Sequence, residues 1–83
     1  MGMRRKRNGT KLLVLRHLES RGWQTPLEVA RAVGLEQSWQ SMWHTLARYE
    51  HCRLVVRRRV PYIEYAITGK GRERRAWLER MMR

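Results

Sequence analysis

Thr25-Pro26-Leu27-Glu28 opens a helix and Gly34 closes it, and this punctuation constrains the fold more than any other stretch of the chain. Thr suits the cap position, Pro the first helical position, and Glu the third, where its carboxylate bonds back to the cap amide. Gly ends the helix because it adopts a backbone angle that other residues resist. The helix between these signals carries Val29, Ala30 and Val33 and is only about two to three turns long. Gly34 and Leu35 then turn the chain into the next segment.

Helical spacing precedes and follows this short helix. Thr10 to Arg21 holds Leu12, Leu15 and Leu18, flanked by Leu13 and Val14, and stops at Gly22. Glu36 to His51 has Ser38 as a candidate cap and a stripe of Trp39, Met42, Trp43, Leu46 and Tyr49, with Gln40, His44, Ala47, Arg48 and His51 opposite. At least one of Trp39 and Trp43 is expected in the core, because a chain without Phe must fill its centre with other large residues. Trp23 is expected to close the loop between the first two helices.

The period changes after Cys52, which is expected to be a buried turn thiol. Leu54 to Val60 is rich in branched residues and Ile63 to Thr68 alternates, with Pro61-Tyr62 between them, so the two runs predict a hairpin. Thr68 can cap a last helix through Arg72, Ala76, Trp77, Leu78, Met81 and Met82, with Gly69 and Gly71 in a loose first turn. The predicted order is helix, helix, helix, strand, strand, helix: a mainly α fold with a small β-hairpin.

Charge indicates the partner. Nineteen Lys and Arg stand against seven Glu and no Asp, a formal net charge of +12 on 83 residues, which suits a polyanion. A hydrophobic share of 42% excludes a wholly disordered basic tail. Catalysis is not expected: so small a domain has a thin core, and its dispersed carboxylates cannot cluster around a metal as a nuclease requires. No cofactor or metal is expected either, since Cys52 is alone and His44 and His51 share a helix face without a third ligand. No apolar run approaches the roughly 20 residues that span a bilayer, so no membrane partner is expected and the location is read as intracellular, cytoplasmic or nucleoid-associated.

Three helices with a tight turn between the second and third, then a hairpin, resemble the winged helix-turn-helix family. The resemblance runs from about Thr10 to Met82. It is carried by Val29-Ala30-Arg31-Ala32-Val33-Gly34-Leu35 at the turn, by Met42, Leu46 and Tyr49 in the stripe, by Leu54-Val55 opening the wing, and by Tyr65-Ala66-Ile67-Thr68-Gly69-Lys70-Gly71-Arg72 closing it. The closing run looks like the strand-to-helix junction of MarR-like and PadR-like regulators. Two features depart from the pattern: Leu35 to Met42 is longer than usual, and Arg53 stands where a Gly ordinarily precedes the wing.

Residues 1–9, with four adjacent cations, two Gly and no apolar periodicity, are expected to be a flexible basic N-terminal arm, and the resemblance implies a winged helix domain over 10–83, with its C-terminal helix from about 69 to 83. It implies duplex DNA as partner, with the third helix in the major groove and Gln40, Ser41, His44 and Arg48 toward bases and phosphates. Arg57, Arg58, Arg59 and Tyr62 would serve the wing, although strand alternation sends Arg58 to the side opposite its neighbours. Arg4, Arg5, Lys6 and Arg7 would lie along the backbone or the minor groove and contribute salt-sensitive affinity. Trp77, Leu78, Met81 and Met82 would make a homodimer contact, the competing reading being packing within one chain. The expected function is a small transcriptional regulator; the alternatives are RNA binding by the same fold, or a protein-interaction module of a transcription or replication assembly.

Overall fold

The computed structural model describes residues 2–82, with side chains described from Asn8 to Met82. The elements are α1 (Gly2–Arg21), α2 (Pro26–Ala32), a single 3-10 turn (Glu36–Ser38), α3 (Trp39–His51), β1 (Val55–Arg59), β2 (Ile63–Ile67) and α4 (Gly69–Met81). Mainly helical with one antiparallel hairpin, the protein follows the element order expected from its sequence.

The cap signals act as predicted at α2. Thr25 Oγ1 accepts from the Glu28 amide at 3.2 Å, and a Glu28 carboxylate oxygen accepts from the Thr25 amide at 2.8 Å. At the far end the Gly34 amide reaches the Arg31 carbonyl and the Leu35 amide reaches the Ala30 carbonyl, with Gly34 at φ 78°. This paired closure is the Schellman arrangement. The same closure ends α3, where the Arg53 amide donates to Glu50 and the Leu54 amide to Tyr49. Here the left-handed position is taken by Arg53, at φ 64°, which accounts for a Gly being usual there.

Three boundaries differ from expectation. Helix α1 begins at Gly2 rather than Thr10, because Met3 and the cations after it are good helix formers with no Pro among them, and Gly9 lies against Met82, the residue that caps α4. The side chains of Arg4, Arg5, Lys6 and Arg7, expected to serve an arm, lie outside the described residues. The third helix starts at Trp39 after the 3-10 turn, and Ser38 makes no side-chain cap bond. The first turn of α4 is tight, not loose: Thr68 Oγ1 accepts from the Gly71 amide at 3.0 Å and its hydroxyl reaches the Arg53 and Leu54 carbonyls.

The core consists of Leu12, Val14, Leu15 and Leu18 of α1, Val29 and Ala30 of α2, Met42, Leu46 and Tyr49 of α3, Leu54 before the hairpin, Val55 and Tyr65 within it, and Leu78 of α4. Helices α1 and α4 pack along each other. The hairpin registers Val55 with Ile67, Arg57 with Tyr65 and Arg59 with Ile63. Gln24, between α1 and α2, bridges to Tyr65 through two backbone hydrogen bonds of 2.8 and 2.9 Å. That one-residue third strand fixes the outer edge of β2 to the helical body.

Candidate nucleic-acid interface

Helix α3 buries Met42, Leu46 and Tyr49. Their spacing of four and three turns one stripe inward, so Gln40, Ser41, His44 and Arg48 are all exposed. These four side chains share the open surface of α3, as the sequence predicted. Trp39 and Trp43 do not join the core. They stack on each other on the flank of the stripe, ring centres 6.4 Å apart and planes 18° from parallel, and remain 36% and 40% exposed. The expectation that at least one fills the centre is thereby overturned, because Met42, Leu46 and Tyr49 already cover the inward arc.

The hairpin sorts its cations by alternation. Arg58 turns to the outer face of the sheet, where its guanidinium lies 4.3 Å from the Trp23 ring centre and bonds Glu64, its register partner, at 2.8 Å. Trp23 therefore supports the sheet face besides closing its loop. Arg57 and Arg59 point to the other side. Arg57 has only a 3.9 Å approach to Glu50 of α3, and Arg59 has no carboxylate partner among the described residues. Of the three hairpin cations, Arg57 and Arg59 are the open pair.

Tyr62 is 70% exposed beside the equally open Val60, and the Val60–Pro61 peptide is cis. Behind it lies a groove of about 230 Å³ lined by Thr25, Pro26, Leu27, Trp39, Trp43, Tyr62 and Ile63. Sequence periodicity did not indicate this groove, since α2, α3 and the wing each supply part of its wall. The signal that could have pointed to it is the i, i+4 spacing of the two Trp outside a sufficient apolar stripe.

Two buried tyrosines lie behind this face. Burial pushes the Tyr49 hydroxyl up to about 12, against an opposing pull from Arg48. Burial likewise raises Tyr65, with Arg57 again opposing. The Tyr65 Oη has no hydrogen-bond partner among the described residues, although Arg57 and Trp43 approach it. Both phenols are thus neutral near pH 7 and add no negative charge to the face.

Other sequence expectations fall elsewhere. Leu78 packs into the core and is not available for a dimer contact, whereas Trp77 and Met81 of the same helix and Met82 at its cap are exposed. Their positions lie off the stripe that α4 turns toward α1. Cys52 is exposed, not a buried turn thiol, because it caps α3 on the solvent side. Among the described residues no three His, Cys or Glu come together as a metal would require, and no helix is long and apolar enough to cross a membrane. No family model, curated protein or solved structure matches the chain. What the site does must be read from its own geometry.

Proposed function

We propose that the protein is a winged helix-turn-helix module that binds double-stranded DNA as a small transcriptional regulator, not an enzyme. Helix α3 enters the major groove and the β1–β2 wing follows the backbone or the adjoining minor groove. Gln40 offers a paired donor and acceptor to an adenine edge, Arg48 a forked donor to guanine or phosphate, and Ser41 and His44 lie between them. Arg57 and Arg59 hold phosphates. A cytoplasmic or nucleoid location goes with this reading, and the exposed Trp77, Met81 and Met82 offer a strip to a second copy.

The observation that carries the reading is where the acids go. Glu19, Glu36, Glu50, Glu64 and Glu79 each face an Arg, and Glu28 caps α2. Arg48 and Arg59 are left without a carboxylate partner among the described residues, on a chain whose net charge is +12. Phosphate contacts of this kind release counterions and make affinity fall steeply with salt.

Anisotropy of a labelled duplex, titrated across a salt series with RNA and heparin as competitors, tests it. Submicromolar binding with a steep salt slope and a preference for duplex DNA is the expected result. Arg59→Ala should weaken all duplexes alike and lower the slope by about one, whereas Gln40→Ala should also change sequence preference. Equal binding to every polyanion, or none, would sink the reading in favour of a protein partner; tighter binding to RNA would transfer it to RNA.

A further inference from the structure

We propose that the groove between α3, the start of α2 and the wing tip takes an unpaired nucleobase, so that the protein prefers nucleic acid where a duplex opens. This rests on the duplex-binding reading for the neighbouring phosphate contacts and adds a base-binding site to the same face.

The first support is the placement of the aromatics. The core closes without Trp39, Trp43 or Tyr62, yet all three converge on one groove. Pro26, Leu27 and Ile63 supply the rest of its wall, so the groove combines aromatic faces with an almost wholly apolar lining. A nucleobase is the flat, largely apolar group that such walls fit, and stacking on aromatics is tolerant of base identity.

Charge is the second support. No carboxylate lines the groove. Arg59 stands directly across the ladder from Ile63, a wall residue, on the same face of the hairpin. A base entering the groove carries a phosphate with it, and Arg59 is the cation beside its path. An apolar segment of another protein would meet the same walls but would leave that cation uncompensated unless it were acidic.

Continuity with α3 is the third. Trp39 and Trp43 immediately precede Gln40 and His44, two of the exposed residues on the open surface of the helix. A strand leaving the end of a duplex held on α3 therefore passes the groove within a residue or two of helix surface. Neither base edges nor a specific sequence need be read for this: the walls recognise an available π face.

Three labelled duplexes of one sequence provide the test: one blunt, one with a short single-stranded overhang, and one whose overhang is built of abasic residues that keep the phosphates. The overhang should bind about tenfold tighter than the blunt end, and the abasic overhang should recover less than about twofold of that gain. Tryptophan fluorescence should fall on binding the intact overhang. In Trp43→Ala and separately in Trp39→Ala the ratio of overhang to blunt affinity should fall toward one, with circular dichroism checking that each variant folds.

Equal affinity for blunt and overhang duplexes overturns the inference and leaves the duplex reading standing. Equal gains from intact and abasic overhangs also overturn it, since charge alone would then suffice. Base-dependent binding of the overhang without any binding of the blunt duplex upholds the groove and removes the duplex reading. Failure to bind all three removes both. Fluorescence quenching by an acidic, aromatic-containing peptide, with no overhang preference, assigns the groove to a protein segment and overturns the inference as well.

Discussion

The α1–α4 side and the α3–hairpin side use arginine–glutamate pairs differently: the first ties two helices together with them, the second pairs only part of its arginines. On the first, Arg16 bonds Glu79 at 2.6 Å and Arg75 bonds Glu19 at 2.8 Å, while Arg75 also approaches Glu79 at 3.5 Å. These contacts tie Arg16 and Arg75 to Glu19 and Glu79 across the helix pair, while Arg74 lies over the Trp77 ring, 5.5 Å from its centre. On the second, Arg58 bonds Glu64 at 2.8 Å, whereas Arg57 has a distant carboxylate and Arg48 and Arg59 have none among the described residues. The difference teaches that net charge is a poor guide to where a basic protein binds. The pairing pattern separates cations that hold the fold together from those left for a partner.

The joint between the two sides is the first place to break the comparison. A Cβ at Gly71 would collide with the Leu54 carbonyl oxygen and come within 2.6 Å of Ile67 Cγ1. One obstacle is backbone and the other a half-buried side chain, so neither gives easily. Gly71→Ala should cost about 3 kcal/mol or more of stability in denaturant unfolding, and both sides should loosen together. Loss of binding with unchanged stability would show that the joint is not what ties them.

A smaller effect comes from Tyr49, which lies inside α3 with the Lys11 ammonium of α1 5.5 Å from its ring centre. The native hydroxyl titrates near 12 and the unfolded one near 10, so between those values only the unfolded chain has lost the proton. Stability is therefore fully present below pH 10 and falls as pH rises toward 12, by about 3 kcal/mol in all. Tyr49→Phe should flatten that part of the unfolding-versus-pH curve. An unchanged slope would assign the alkaline loss to other groups.

Glu79→Gln tests the paired side alone. Its carboxylate serves Arg16 and Arg75 at a partly exposed position, so the expected loss is about 1 kcal/mol, shrinking as salt is added. Duplex affinity should not fall with it. Smallest, and of opposite sign, is Arg53→Gly: removing a side chain from the left-handed position should stabilise the fold by about 0.5–1 kcal/mol. A destabilised Arg53→Gly would mean that the Arg side chain supports the turn in a way its exposure does not suggest.

Much of this architecture was legible in local residue chemistry. Thr25-Pro26 and Gly34 bracket α2 as read, the hairpin falls inside its two predicted runs, and Thr68 caps α4. Local rules failed where distant contacts decide. Nothing near Gly71 in sequence announces the Leu54 carbonyl, and nothing in Trp39 or Trp43 tells that Met42, Leu46 and Tyr49 suffice for the core. The bridge from Gln24 to Tyr65 depends on a single residue in extended pairing, too short to leave a period. Among the candidate site residues, the open surface of α3 followed from helical spacing, and alternation foretold which side Arg58 would take. Its pairing with Glu64 and Trp23 needed the register and the third strand.

The pairing of α1 with α4 also sets the order in which the molecule can be assembled during synthesis. Arg16 and Glu79 are 63 residues apart, and closing so long a loop costs entropy before any contact repays it. A ribosome delivers α1 first and this partner only after the wing. Until α4 has emerged, the flank of α1 beside Leu12 and Arg16 has no helix against it. The nascent chain must carry that uncovered surface while the segment from α2 to β2 is made.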